Sequence, residues 1–150
     1  IQNNANLTSI VFAKLEKIDG SIVIQNNPVL KSISFAKLQS IGGARFYVTG
    51  NAQLESLSMP SLTTTAYGQA FTIYTNPLLT LLDFSSLQIL DAQLHMYGNG
   101  AGLSCAQLKQ ACANTKRTNY GNACNSAQWT TGQYATGTNK GKYGHQLTTC

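Results

Sequence analysis

An internal repeat of 23 to 25 residues constrains the fold of this chain more than any other feature of its sequence. Four copies align: IQNNANLTSIVFAKLEKI from Ile1, IQNNPVLKSISFAKLQSI from Ile24, VTGNAQLESLSMPSLTTT from Val48 and IYTNPLLTLLDFSSLQIL from Ile73, and a weaker fifth copy begins at Met96. One such repeat cannot bury its own apolar face, so neighbouring repeats must stack around a shared core. The repeat therefore predicts a mainly β, leucine-rich-repeat-like, right-handed β-solenoid of about four to five coils.

One asparagine recurs in every copy, at a position where the chain is expected to turn. A side-chain amide at such a turn can satisfy backbone groups that leave the strands, and stacked amides can bond to each other. We interpret the column as a structural ladder formed by Asn4, Asn27, Asn51, Asn76 and Asn99.

A short apolar and polar alternation precedes each asparagine and indicates a β-strand. The alternation places one set of side chains inward: Ile22, Ile24, Phe46, Val48, Phe71, Ile73, Leu94 and Met96. The opposite set forms an outer face with aromatic residues, which can stack on sugar rings or anchor a protein partner. The predicted binding face consists of Tyr47, Thr49, Thr72, Tyr74, His95 and Tyr97.

The recurring pattern I-x-x-N-x-x-L-x-S-I-x-F, with its IDGSIVI and IGGARFYV crossings, resembles the receptor L domain superfamily. That superfamily includes ligand-binding lobes of insulin- and epidermal-growth-factor-type receptors and GPI-anchored cell-wall glycoproteins of fungi. The run from Asn27 to Phe35 looks most like the cell-wall branch. The resemblance implies an extracellular, cell-surface or cell-wall solenoid that is non-catalytic, uses no cofactor and is often glycosylated. Neither a cysteine-rich module nor a C-terminal hydrophobic anchor signal is seen.

We assign residues 1–102 to the solenoid and residues 103–150 to a basic C-terminal cap and tail that contains all the cysteines. The run from Ser104 to Cys112 predicts a short helix, on which two cysteines seven residues apart lie about 10 Å from each other. Direct bonding needs a Cα separation within about 7 Å, so each should bond outward, with the order open. Two disulfides are favoured over zinc, because close cysteine pairs are missing; the four are Cys105, Cys112, Cys124 and Cys150.

Charge is distributed unevenly along the chain. Residues 1–91 carry five basic and five acidic residues, whereas residues 92–150 carry five basic residues and no acid. The C-terminal segment is therefore the candidate for contact with an anionic partner. The basic residues are too sparse for a nucleic-acid motif, and no apolar run reaches the length of a membrane span.

The sequence is poor in catalytic groups and offers no metal-ligand cluster. Glu55 and Asp83 could imitate a glycosidase pair, but their positions in other copies are not acidic, so we predict surface roles and no enzymatic activity. The run Thr63-Thr64-Thr65 raises an ice-binding alternative, although it does not repeat between coils. Asn6-Leu7-Thr8 is the one standard N-glycosylation sequon, which makes Asn6 a candidate glycan site.

We therefore predict an extracellular recognition or adhesion module for a protein or glycan. A second hypothesis arises because the first copy aligns at Ile1 and lacks most of its leading strand. An open coil would present apolar side chains and strand edges able to recruit another chain, and a head-to-tail contact could then form a filament. The residues expected at that open end are Leu7, Ile10, Phe12, Leu15 and Ile18.

Overall fold

The computed structural model describes residues 1–43, 45–65, 69–88, 92–100 and 103. Within these residues the chain forms eleven β-strands and no helix. The strands are β1 (Ser9–Val11), β2 (Lys17–Ile18), β3 (Ile22–Gln25), β4 (Ser32–Ser34), β5 (Ser40–Ile41), β6 (Arg45–Thr49), β7 (Ser56–Ser58), β8 (Thr64–Thr65), β9 (Gln69–Tyr74), β10 (Leu81–Asp83) and β11 (Ala92–Tyr97).

The strands assemble into three sheets in which every pair is parallel. The serine sheet has the order β1-β4-β7-β10, the tyrosine sheet β3-β6-β9-β11 and the short sheet β2-β5-β8. The chain visits one strand of each sheet in turn and then starts the next coil. This arrangement confirms the predicted β-solenoid.

The core lies between the sheets and is built from the inward columns that the repeat predicted. Phe46 and Phe71 stack with ring centroids 4.4 Å apart, and Phe84 meets Phe71 edge-on at 5.6 Å. Each large apolar side chain of this kind contributes roughly 1.5–3 kcal/mol on full burial. The inward assignment is confirmed for the seven of its eight residues whose side chains are described: Ile22, Ile24, Phe46, Val48, Phe71, Ile73 and Met96.

The turn from the tyrosine sheet to the serine sheet, here called the ladder corner, is closed by the asparagine column. The Asn51 amide nitrogen donates to the carbonyls of Ile24 and Thr49 at 3.2 and 3.1 Å. Its side-chain oxygen accepts from both the backbone and side-chain nitrogens of Asn27, each at 3.1 Å. Bonds between successive side chains continue from Asn4 through to Asn99.

A residue with left-handed backbone precedes each ladder asparagine. Its φ lies between 54° and 64° in all five coils, a region that favours glycine and, less strongly, asparagine. The residues are Asn3, Asn26, Gly50, Thr75 and Gly98.

The turn from the short sheet to the tyrosine sheet, here called the variable corner, changes length from coil to coil. The strand registers leave three residues (19–21) between the inward positions of the first crossing, four (42–45) in the second and five (66–70) in the third. Two backbone segments approach closely at this corner, and a Cβ on Gly43 would clash with the carbonyl oxygen of Gly20.

The predicted C-terminal cap falls almost wholly outside the described residues. That includes the Ser104–Cys112 helix and all four cysteines, whose pairing stays a prediction. Leu103, the one described residue of this segment, is buried against the core.

Candidate functional site

The outer face of the tyrosine sheet gathers the predicted binding residues into two neighbouring columns. Strand registers align one column as Val23, Tyr47, Thr72 and His95, and the next as Gln25, Thr49, Tyr74 and Tyr97. His95 and Tyr97 are placed by their backbone registers alone. The four predicted residues whose side chains are described, Tyr47, Thr49, Thr72 and Tyr74, therefore share one face.

Tyr47 and Tyr74 form the centre of this face. They sit diagonally across strands β6 and β9, with ring centroids 5.3 Å apart and ring planes at 84°. Their hydroxyl groups are hydrogen-bonded to each other, and both side chains are half-buried. An edge-to-face pair is worth about 0.5–1.5 kcal/mol beyond area burial, so the two rings form a pre-ordered aromatic ridge.

Thr49 and Thr72 share the face but offer almost no surface. Their exposed fractions are 4% and 6%, values typical of core residues. Each lies directly across from one tyrosine of the pair and two residues along the strand from the other, so larger neighbours flank it. Alternation alone missed this burial because it treats each strand separately. Of the predicted binding residues whose side chains are described, the tyrosines therefore carry most of the accessible surface.

Arg45 is an outer-face residue that our sequence reasoning did not single out. It begins strand β6, where the burial pattern runs exposed, buried, half-buried from Arg45 through Phe46 to Tyr47. The side chain of Arg45 therefore lies on the same face as Tyr47, one alternation step away. The alternation that assigns Tyr47 to the outer face therefore also assigns Arg45 to it.

The sequence matches a known protein family over most of the described residues. The family model described as receptor L domain matches residues 1–90. The chain belongs to the receptor L domain family. Receptor L domains are non-catalytic ligand-binding domains, typically in the extracellular parts of receptors. No curated protein and no solved structure matches the chain, so the resemblance to fungal cell-wall glycoproteins stays a prediction.

The carboxylates proposed as a glycosidase pair lie elsewhere on this receptor L domain. Glu55 is exposed and immediately precedes β7, whereas Asp83 aligns with Ser58 at the end of that strand. The two residues are three positions apart in register on neighbouring strands, which places their Cα atoms roughly 11 Å from each other. Asp83 also accepts hydrogen bonds from the Ser58 hydroxyl at 3.1 Å and the Ser85 backbone at 3.2 Å. These contacts favour a structural role for Asp83.

The threonine run does not form one exposed surface. Thr63 and Thr64 are exposed, but Thr65 takes an inward position and is 3% exposed. An ice-binding face requires a flat exposed array, so this run does not supply one.

The described part of the receptor L domain lacks both a metal-ligand cluster and a membrane-spanning helix. It contains no group of three or more His, Cys, Asp or Glu side chains placed to hold a metal ion. It also contains no helix of the length and apolarity that a membrane span requires.

The first coil shows a mixture of exposed and buried apolar residues. Val11 and Phe12 are 67% and 38% exposed, and Phe12 stacks on Phe35 with centroids 5.1 Å apart. Ile10 had been expected at an open end but is only 5% exposed, because its strand position points inward. The other three residues of the expected set are partly buried against the core: Leu7, Leu15 and Ile18.

Proposed function

We propose that this receptor L domain is an extracellular recognition module that binds its ligand on the outer face of the tyrosine sheet. The observation that carries the proposal is the Tyr47–Tyr74 pair, an ordered and half-buried aromatic ridge on a face whose other described side chains are mostly polar. Tyrosine is enriched among the residues that dominate binding energy at protein interfaces. A ridge already ordered before binding loses little side-chain entropy when a ligand docks.

The choice of this face over the serine sheet follows from side-chain chemistry. The outer positions of strands β4 and β7 are all serines, which provide little contact area: Ser32, Ser34, Ser56 and Ser58. These hydroxyl groups supply hydrogen bonds but no anchor that fills a partner's pocket. The exposed apolar side chains of this sheet, Val11 and Leu81, stand apart on its two edge strands, β1 and β10. The tyrosine sheet supplies both hydrogen-bonding groups and large side chains that can anchor a partner.

The test uses a glycan array and a displayed library of random peptides, each probed with the purified chain. Ligands found in either screen are measured against the double variant Tyr47→Ala/Tyr74→Ala and against Leu81→Ala, an exposed apolar residue of the serine sheet. The double variant should lose at least tenfold in affinity, equivalent to about 1.4 kcal/mol, while Leu81→Ala stays unchanged. Equal binding by all three proteins, with matching urea unfolding midpoints, would contradict the proposal.

A structural role as a filament subunit is the alternative function. It is supported by exposed Val11 and Phe12 at β1, the outermost described strand of the serine sheet, where unpaired backbone groups can accept another strand. The mass of the chain in solution, measured across concentration, decides it. Growth with concentration that Val11→Lys prevents supports stacking, whereas a constant monomer mass contradicts it.

A further inference from the structure

One arginine, Arg45, supplies the charge among the described outward side chains of the tyrosine sheet. The others are neutral, namely Val23, Gln25, Tyr47, Thr49, Thr72 and Tyr74. An exposed guanidinium on a neutral face provides charge complementarity to an acidic partner.

The guanidinium of Arg45 is not neutralised by the described residues around it. The ion pair found in the described part of the chain joins Lys17 to Asp19 at 2.7 Å, at the start of the turn that leads into β3. Asp19, the acid of the variable corner in the first coil, is therefore already engaged by a lysine. Arg45 forms no ion pair with any described residue.

The spacing between Arg45 and the aromatic ridge matches an extended peptide. Arg45 and Tyr47 are two residues apart on β6, which places their Cα atoms about 6.6 Å from each other. Side chains on one face of an extended ligand repeat at the same interval. A carboxylate on such a ligand could meet Arg45 while the next side chain on that face packs against Tyr47 and Tyr74.

The ridge itself favours a polypeptide over a polysaccharide. The hydroxyl groups of Tyr47 and Tyr74 bond to each other, and their rings meet edge to face. This geometry gives an apolar ridge in place of a flat platform of coplanar rings, and the hydroxyl–hydroxyl bond occupies one of the two hydroxyl hydrogens. Arginine and tyrosine together are typical of the residues that dominate protein–protein binding.

We propose that Arg45 determines ligand specificity by pairing with a carboxylate of an extended acidic protein segment whose neighbouring apolar side chain packs on the Tyr47–Tyr74 ridge. This inference rests on the proposed function of the tyrosine sheet. Arginine pairs with carboxylates through two parallel hydrogen bonds, which lysine cannot reproduce.

The experiment selects peptides from the displayed random library on the unmodified chain and then measures the selected peptides as synthetic ligands. Selected sequences should carry Asp or Glu two positions from an aromatic or aliphatic residue. Arg45→Gln should weaken their binding about tenfold or more, and Arg45→Lys should restore only part of the loss. A third variant, Arg45→Glu, reverses the charge on the tyrosine sheet. Its control is Lys37→Glu, which reverses an exposed positive charge at another corner and should have little effect.

A charge-swapped selection sharpens the test. The Arg45→Glu chain should select peptides enriched in Lys or Arg at the position where the unmodified chain selects acids. Selection without acidic enrichment, or peptide affinities that Arg45→Glu leaves unchanged, would overturn the inference. Arg45-dependent binding of polygalacturonate with no peptide selected would overturn it too, in favour of an anionic polysaccharide.

The two proposals fail in different ways. If Tyr47→Ala/Tyr74→Ala abolishes binding while the Arg45 variants bind normally, the tyrosine sheet is the binding face and the acidic specificity is wrong. If neither set of variants changes binding, the face itself is wrong.

Discussion

The ladder corner and the variable corner perform the same task, since each carries the chain from one parallel sheet to the next, yet they differ in how they are built. At the ladder corner every described coil places a left-handed residue and then an asparagine. For Asn27, Asn51 and Asn76 the side-chain amide donates to a backbone carbonyl of its own coil and to one of a neighbouring coil. At the variable corner the number of residues rises from three to four to five.

The difference shows why the ladder corner keeps one length and the variable corner does not. A buried amide with several partners tolerates no shift in register, because each displaced partner becomes a buried polar group without a hydrogen bond. The described residues of the variable corner form no such column, and a longer loop costs only about 0.6 kcal/mol for each doubling of its length. Side-chain hydrogen bonding therefore keeps one corner constant while the other is free to change.

The largest expected effect comes from removing a central rung of the ladder. Asn51→Ala removes the donor to two carbonyls and the acceptor for two Asn27 nitrogens, all at a residue that is 0% exposed. Each group left buried and unsatisfied costs about 1–3 kcal/mol. We expect the free energy of unfolding, measured by urea titration, to fall by about 3–5 kcal/mol.

Two control variants separate the stability lost with the ladder bonds from the stability lost by any substitution in this turn. Gln53→Ala changes an exposed residue of the same turn and should shift stability by no more than about 0.5 kcal/mol. Asn4→Ala removes an exposed end of the ladder, with its bond to Asn27 of 2.9 Å, and should cost about 1 kcal/mol. Equal losses for Asn4 and Asn51 would contradict the link between burial and ladder strength.

Inserting one glycine at each corner compares them directly. An insertion after Asn51 displaces the turn whose closing bond runs from the Leu54 nitrogen to the Asn51 carbonyl at 3.0 Å, so we expect a loss of about 2–3 kcal/mol. An insertion after Gly43 gives the second coil the length that the third already has, and should cost about 1 kcal/mol or less. Urea unfolding of the two variants measures the difference, and similar losses would show that the variable corner is equally constrained.

The repeat made the solenoid, its inward columns and the asparagine column predictable, because stacked coils repeat the same chemical requirement in every copy. The accessible part of the site was less predictable. Alternation placed Thr49 and Thr72 on the outer face correctly, but their burial depends on Tyr47 and Tyr74, whose positions relative to them follow from register between strands. Alternation assigns Arg45 to the same face, but its charge does not recur at the aligned position of β9, so no repeated column marks it.

Relieving backbone strain at the ladder corner should have a smaller effect of opposite sign. Thr75 has φ of 54°, a left-handed value that is unfavourable for a β-branched residue by about 1–2 kcal/mol. Asn26 occupies the same position in its coil at the same φ, and asparagine tolerates this region. Thr75→Asn should therefore raise the free energy of unfolding by about 1 kcal/mol. The reverse change, Asn26→Thr, should lower it by a similar amount, and stabilisation in both directions would refute the strain argument.

The smallest effect on stability is expected from a change on the outside of the ladder corner. Asn4 and Asn6 are two residues apart, but Asn4 bonds to Asn27 within the ladder, whereas Asn6 is exposed and begins the Asn6-Leu7-Thr8 sequon. We propose that Asn6 carries an N-linked glycan when the chain passes through a eukaryotic secretory route. Chain secreted from such a host should lose mass on treatment with peptide-N-glycosidase F, and Thr8→Ala and Asn6→Gln should each abolish that loss. Since Asn6 projects from the turn, the glycosylated and enzyme-treated forms should unfold within about 0.5 kcal/mol of each other. A secreted chain that is unmodified at Asn6 would contradict the assignment, and a larger stability difference would show that the outside of this corner is coupled to the ladder beneath it.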